Sequence, residues 1–160
     1  MDRSQPNKIT DEKTALGKAE NYCAYQERSQ QEVRDKLYEW GVYASVVEKI
    51  ISKLIENNFL NEERFAIAYA TGKLRQKGWG RNKIKQGLKL KKVSDPLIKK
   101  ALKNIDDGEY LEMLRKIIQK KEATITEKVS YKRKYKLHQY VLSRGFESDL
   151  IADVLRDSEL

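Results

Sequence analysis

Two stretches of this chain carry side chains spaced to hold an anion. The first contains Lys73, Arg75, Lys77, Arg81, Lys83, Lys85, Lys89, Lys91 and Lys92, with Lys85, Lys89 and Lys92 repeating at i, i+4, i+7 as one stripe of a helix. Like charges at that spacing weaken an isolated helix by a few tenths of a kcal/mol per pair (about 0.2–0.5). The stripe is therefore expected to face an anionic partner, either nucleic acid or an acidic protein groove. The second stretch, Tyr131-Lys132-Arg133-Lys134-Tyr135-Lys136, interleaves aromatic rings with cations. That pattern can stack bases and neutralise phosphates. Tyr131 and Tyr135 are also i, i+4 neighbours, so packing inside a helical unit explains them equally well. Next to the first stretch, Lys77-Gly78-Trp79-Gly80-Arg81 places two glycines around an aromatic, the mark of a tight turn. Arg81 is a candidate phosphate ligand there. Trp79 could stack on a base, but is expected chiefly to plug the space between helical units, where large apolar side chains are needed.

Other chemistry is thinly represented. His138 is the single histidine and has no carboxylate or thiol at ligand spacing. Cys23 lies between Tyr22 and Ala24 on an apolar helix face, unlike an activated thiolate. No phosphate-cradling loop is present. Asp106-Asp107-Gly108-Glu109 lacks the further ligands of a metal loop and reads as a helix–helix connection. No catalytic, metal or cofactor site is expected, and the chain is not expected to be an enzyme.

The 160 residues carry a formal charge of +9, unevenly placed. Residues 1–72 hold 10 Lys and Arg against 12 Asp and Glu, while residues 73–103 hold 12 against 1 and residues 112–136 hold 9 against 3. Solvated helix faces mix signs, so this segregation points to a partner for the middle of the chain. No apolar run reaches the length of a membrane span, and the first residues lack a secretory signal. Residues 1–12 read as a disordered arm. One cysteine forms no intrachain disulfide, consistent with a reducing compartment and a cytoplasmic location.

The elements that carry these side chains belong to a module that recurs three times. Val33, Leu37, Val42, Val47 and Ile51 correspond to Ile84, Leu88, Val93, Ile98 and Leu102, and again to Leu137, Val141, Phe146, Ile151 and Leu155. A repeat of this length means helical units that share cores with their neighbours. Strand alternation is absent. Helices are predicted near 13–27, 30–40, 46–57, 62–77, 81–91, 96–104, 109–121, 130–144 and 149–157, with 122–129 left as either loop or continued helix. Ser29 with Glu32, and Ser45 with Glu48, read as capping boxes. Gly41 and Gly145 read as helix stops, Asn61 as an N-cap, Asp95-Pro96 as N-cap and first-turn proline, and Ser148 or Asp149 as the start of the last helix. The fold expected is all-α: three tandem three-helix modules over 13–60, 61–105 and 106–160, forming an elongated array.

An ordered series of residues resembles the RecX family of regulatory proteins over roughly residues 14–157. It comprises Arg28-Ser29 with Glu32, Leu37 and Gly41, then Leu54-Ile55-Glu56-Asn57-Asn58-Phe59-Leu60-Asn61-Glu62-Glu63-Arg64-Phe65-Ala66, then Gly78-Trp79-Gly80 leading into Ile84 and Leu88. The resemblance implies a curved arrangement of the three modules and a function without catalysis. That function is binding the RecA recombinase filament on single-stranded DNA, lodging in its groove, blocking its growth and lowering its ATP hydrolysis, strand exchange and co-protease activity in DNA repair and the SOS response. Some members bind DNA directly, so single-stranded and also double-stranded DNA are implied partners. No cofactor or membrane is implied, and a monomer is expected. The basic second module and the start of the third would face filament or DNA. Lys92 departs from the family pattern, standing where a helix-ending Gly is common. Asn58 stands where Gly is common and Asn61 where Asp is frequent. The alternative is a stand-alone, helix-turn-helix-like nucleic-acid-binding protein. The net acid of residues 1–72, which contain the first module, is unfavourable for that reading.

Overall fold

The computed structural model describes residues 11–157. The arm expected over residues 1–12 lies outside this range, apart from Asp11 and Glu12, which open the first helix. Nine α-helices, and no strand, occur among the described residues. They are α1 (Glu12–Tyr25), α2 (Gln30–Glu39), α3 (Ala44–Glu56), α4 (Glu62–Gly72), α5 (Arg81–Leu90), α6 (Asp95–Lys103), α7 (Asp107–Glu122), α8 (Ser130–Ser143) and α9 (Ser148–Asp157). α4 runs on through a π-helical turn, Lys73–Lys77. Of residues 122–129, left open by the sequence, Glu122 ends α7 and 123–129 contain no regular helix.

The repeat sets the local geometry. Within each unit the second and third helices meet through the same tight connection, and its pivot takes a left-handed backbone in every copy: φ is 79° at Gly41, 59° at Lys92 and 97° at Gly145. Leu37, Leu88 and Val141 precede these pivots, and all three are buried. Val42, Val93 and Phe146 follow them and are buried too.

The Ser29–Glu32 capping box forms in full. The Glu32 amide donates to Ser29 Oγ at 3.0 Å and the Ser29 amide to Glu32 Oε1 at 3.2 Å. The box expected at Ser45–Glu48 does not form. Tyr43 is the N-cap of α3, without a side-chain cap bond, and Ser45 sits inside the first turn. The cause is the preceding stop: Val42 donates to the Leu37 carbonyl and must enter the core, so α3 starts at once. The same displacement occurs one unit on. Ser94, not Asp95, is the N-cap of α6, and Pro96 falls in its first turn. Asp106 proves to be an N-cap, accepting the Glu109 amide at 2.9 Å, so α7 begins two residues before the predicted position.

The expectation that units share cores holds at one joint only. Ala15, Val33, Leu37, Val47, Ile50 and Leu54 belong to a first core confined to α1–α3 and the turn after it. A second core is continuous from Phe65 and Leu74 through Ile84 and Leu88 to Tyr110, Phe146 and Ile151. The second and third units therefore form one packed body. The first unit meets it through polar contacts: Glu62 accepts the Gln30 amide at 2.9 Å, Arg64 pairs with Glu27 and Lys91 approaches Glu32 at 3.9 Å. Burial raises the Glu62 carboxyl above its ordinary value despite the bond from Gln30.

Candidate functional site

The joint between the second and third units fixes the surface that carries the cations. Gly80 has no side chain because the Gly145 and Phe146 backbone lies where its Cβ would be. This close approach lets the Gly80 amide donate to the Arg144 carbonyl and the Asn82 amide to the Gly145 carbonyl, both at 2.9 Å. Arg81 is drawn into the same joint. Its Nη1 contacts Glu147 at 2.9 Å and its Nη2 contacts Asp107 at 3.0 Å. Its guanidinium lies 3.9 Å from the Tyr110 ring centroid. A side chain proposed as a phosphate ligand is thus held by two carboxylates and a ring within the fold.

Trp79 packs as the joint requires, edge-on to Tyr69 with centroids 6.5 Å apart and half-buried against the second core. The Lys73 and Lys83 ammonium groups each lie 4.9 Å from its ring centroid, within range of a cation–π attraction.

The remaining candidate cations divide by partner. Arg75 pairs with Glu109, which holds that carboxyl below its usual range. Lys91 approaches Glu32, and Lys136 lies 3.5 Å from Glu127. Arg133 closes the 123–129 loop, donating to the Glu122 and Ile125 carbonyls, each at 2.8 Å. Lys77, Lys85, Lys89, Lys92 and Lys132 are exposed, and no ion pair is recorded for them among the described residues. Lys134 is exposed on α8. Tyr131 and Tyr135 do not pack inside the third unit: they are 70% and 65% exposed. That leaves their faces available to a ligand.

Sequence reasoning missed Lys116, Lys120, Lys121 and Arg144, which line a hollow together with Arg75 and Lys77. A signal was present in α7, where Met113, Lys116, Ile117, Lys120 and Lys121 recur at i, i+3, i+4, i+7, i+8, a face half apolar and half basic.

No group of described residues is arranged to hold a metal ion, and no described helix is long and apolar enough to cross a membrane. Cys23 is buried, and that burial pushes its thiol up to about 11, so it is not ionised at neutral pH.

Comparison with known proteins gives one consistent result. Sequence models described as the first, second and third three-helix domains of RecX match residues 15–54, 61–102 and 107–155. A regulatory protein RecX from Haemophilus influenzae is 31% identical over 140 residues, covering 87% of this chain and 91% of the relative. One from Clostridium perfringens is 35% identical over 131 residues, covering 81% of this chain. This chain spans 61% of that longer relative. The crystal structure of RecX from Lactobacillus salivarius superimposes with a TM-score of 0.81 at 25% identity, covering 91% of this chain and 95% of that one. Three family domains in order, on a fold of three three-helix units, establish that this chain belongs to the RecX family of regulatory proteins.

Proposed function

We propose that this protein binds the RecA recombinase filament on single-stranded DNA and restrains its growth, ATP hydrolysis, strand exchange and co-protease activity. The observation that carries this reading is the complete series of three family domains between residues 15 and 155. The charge pattern supports it. Lys85, Lys89 and Lys92 present exposed cations along α5 and its stop, suited to an acidic protein surface or to phosphates, while residues 1–72 hold 12 Asp and Glu against 10 Lys and Arg. The action proposed is occupancy rather than catalysis. A basic body seated against the filament blocks the approach of further recombinase subunits and hinders the movements that accompany hydrolysis. The cytoplasm, where such a filament forms, is the proposed location.

The test is single-stranded-DNA-dependent ATP hydrolysis by the cognate recombinase, with this protein added at substoichiometric levels. Strong inhibition by few copies per filament is expected. The K83E/K85E/K89E triple variant should weaken inhibition with helicity unchanged. Salt-sensitive DNA binding without any inhibition would instead favour the stand-alone nucleic-acid-binding protein.

A further inference from the structure

Three hollows adjoin around α8, two on the side of α7 and the 123–129 loop and one on the side of α9, so that a path through them crosses over α8 at Tyr135. The first, about 480 Å³, lies between the π-helical turn, α7 and α8. Lys77, Lys116, Lys120 and Arg144 stand around it, over an apolar floor of Met113 and Ile117. The second, about 440 Å³, shares Lys121, Thr124 and Tyr140 with the first and extends to Tyr135 and Lys136. The third, about 390 Å³, shares Tyr135 and reaches Tyr131 and His138. Among the described residues, no acidic side chain lines any of the three. Two other hollows on the molecule differ in this respect, with Asp107 in one and Glu122 and Asp157 in the other.

We propose that these hollows form one track that holds a nucleic-acid single strand. Phosphates would lie against Lys77, Lys116, Lys120 and Arg144, and bases against Tyr140, Tyr135 and Tyr131. From Tyr131 to Arg144 the helix rises about 20 Å, enough for a short strand at the lower end of the sites that single-strand-binding modules cover, roughly four nucleotides. Lys77, Lys116, Lys120 and Arg144 form no ion pair with a described residue, and several such cations around one concavity concentrate positive potential and attract a polyanion. The aromatic series decides which polyanion. Tyrosine faces in succession are useful to unstacked bases, whereas a duplex hides its base faces and an acidic peptide has none to offer. Lys121 already illustrates the mixed character of the track: its ammonium lies 4.5 Å from the Tyr140 ring centroid.

The track assigns a strand-facing side to the molecule, distinct from the α5 stripe. It rests on the proposed filament role for its setting, but it is testable without the recombinase.

The experiment is fluorescence anisotropy of a fluorescein-labelled oligothymidylate titrated with the full chain. K116Q/K120Q should weaken binding about tenfold or more. Removing two phosphate contacts should also flatten the log–log salt slope by about 1.4. Y131L/Y135L, altered at exposed positions, should weaken binding by a similar factor with little change in slope. K13Q/K49Q, altered at exposed positions of the first unit, should stay within about twofold of the parent, and all variants should keep parental helicity by circular dichroism. Unlabelled oligothymidylate should displace the probe, whereas ATP and polyglutamate at equal phosphate or carboxylate concentration should not. Equal loss in K13Q/K49Q and K116Q/K120Q, no effect of Y131L/Y135L, or displacement by ATP or polyglutamate would each overturn the proposal. Loss of recombinase inhibition with strand binding intact would count against the filament role and leave the track standing.

Discussion

Tyr110 donates its hydroxyl to the Glu147 carboxylate while accepting the Arg81 amide at 3.0 Å, so one side chain of α7 ties the start of α5 to the residue that precedes α9. Its ring also packs against Phe146, centroids 5.1 Å apart. Tyr110→Phe keeps the ring and removes both hydrogen bonds, leaving a part-buried amide and a carboxylate short of partners. The expected loss is about 1–3 kcal/mol of stability, read by urea unfolding. An unchanged midpoint would show that solvent replaces both bonds.

The same hydroxyl contributes to a pH dependence. Burial and the Glu147 carboxylate raise the Tyr110 phenol above its usual 10.0, and burial raises the Cys23 thiol from 9.0 to about 11. Both groups keep their protons in the folded chain at pH values where the unfolded chain has lost them. Their contribution is therefore complete below about pH 9 and declines as pH rises toward 11. Melting temperature measured across that window should fall. The fall should be shallower in Cys23→Ala, because one of the two raised groups is gone.

Lys92 holds φ at 59°, a conformation that costs an ordinary L-residue about 1–2 kcal/mol. Its counterparts in the other two units are both glycine. Lys92→Gly should therefore stabilise the protein by roughly 0.5–1 kcal/mol once the greater unfolded-state freedom of glycine is subtracted. A thermal midpoint higher by about 2 °C would register this. A lower midpoint would mean that the lysine makes a compensating contribution in the folded chain.

Two separate cores should unfold separately, and each contains one reporter. Trp40 packs against the first core, edge-on to Tyr22 at 6.1 Å, and Trp79 packs against the second. Fluorescence of Trp79→Phe follows the first unit, and that of Trp40→Phe follows the joined second and third. Their denaturation curves are expected to have different midpoints. Superimposable curves would show that the polar contacts of Glu62, Arg64 and Lys91 couple the units into one cooperative whole.

What the sequence reveals here depends on distance along the chain. The buried positions Val33, Ile84 and Leu137 are legible because i, i+4 spacing fixes a helix face and the repeat supplies three readings of it. The Ser29 cap is legible because all its partners lie within four residues. Ser45 misleads because the cap it imitates depends on where the previous turn ends, and that turn is set by Val42 entering the core. Arg81 reads as a free cation because Glu147, its partner, is 66 positions away. Lys116 and Lys120 mark a half-basic face of α7, but their spacing does not say what lies opposite until α8 and the π-helical turn are brought alongside them. Tyr131 and Tyr135 permit two readings at the level of spacing, and only their exposure separates packing from availability.

The repeat counts three copies, yet the cores count two. The stretch of chain that was multiplied is thus not the stretch that folds as one piece. A cut between residues 60 and 61 passes through polar contacts and would leave each fragment its own interior. A cut between residues 105 and 106 would strip Tyr110 and Phe146 from Leu74 and Ile84 and expose both halves of a single interior. For a chain of this kind, a copy exchanged at the first boundary need match only polar contacts. At the second, a newcomer must bring its own counterparts of Gly80 and Gly145 before it can seat at all.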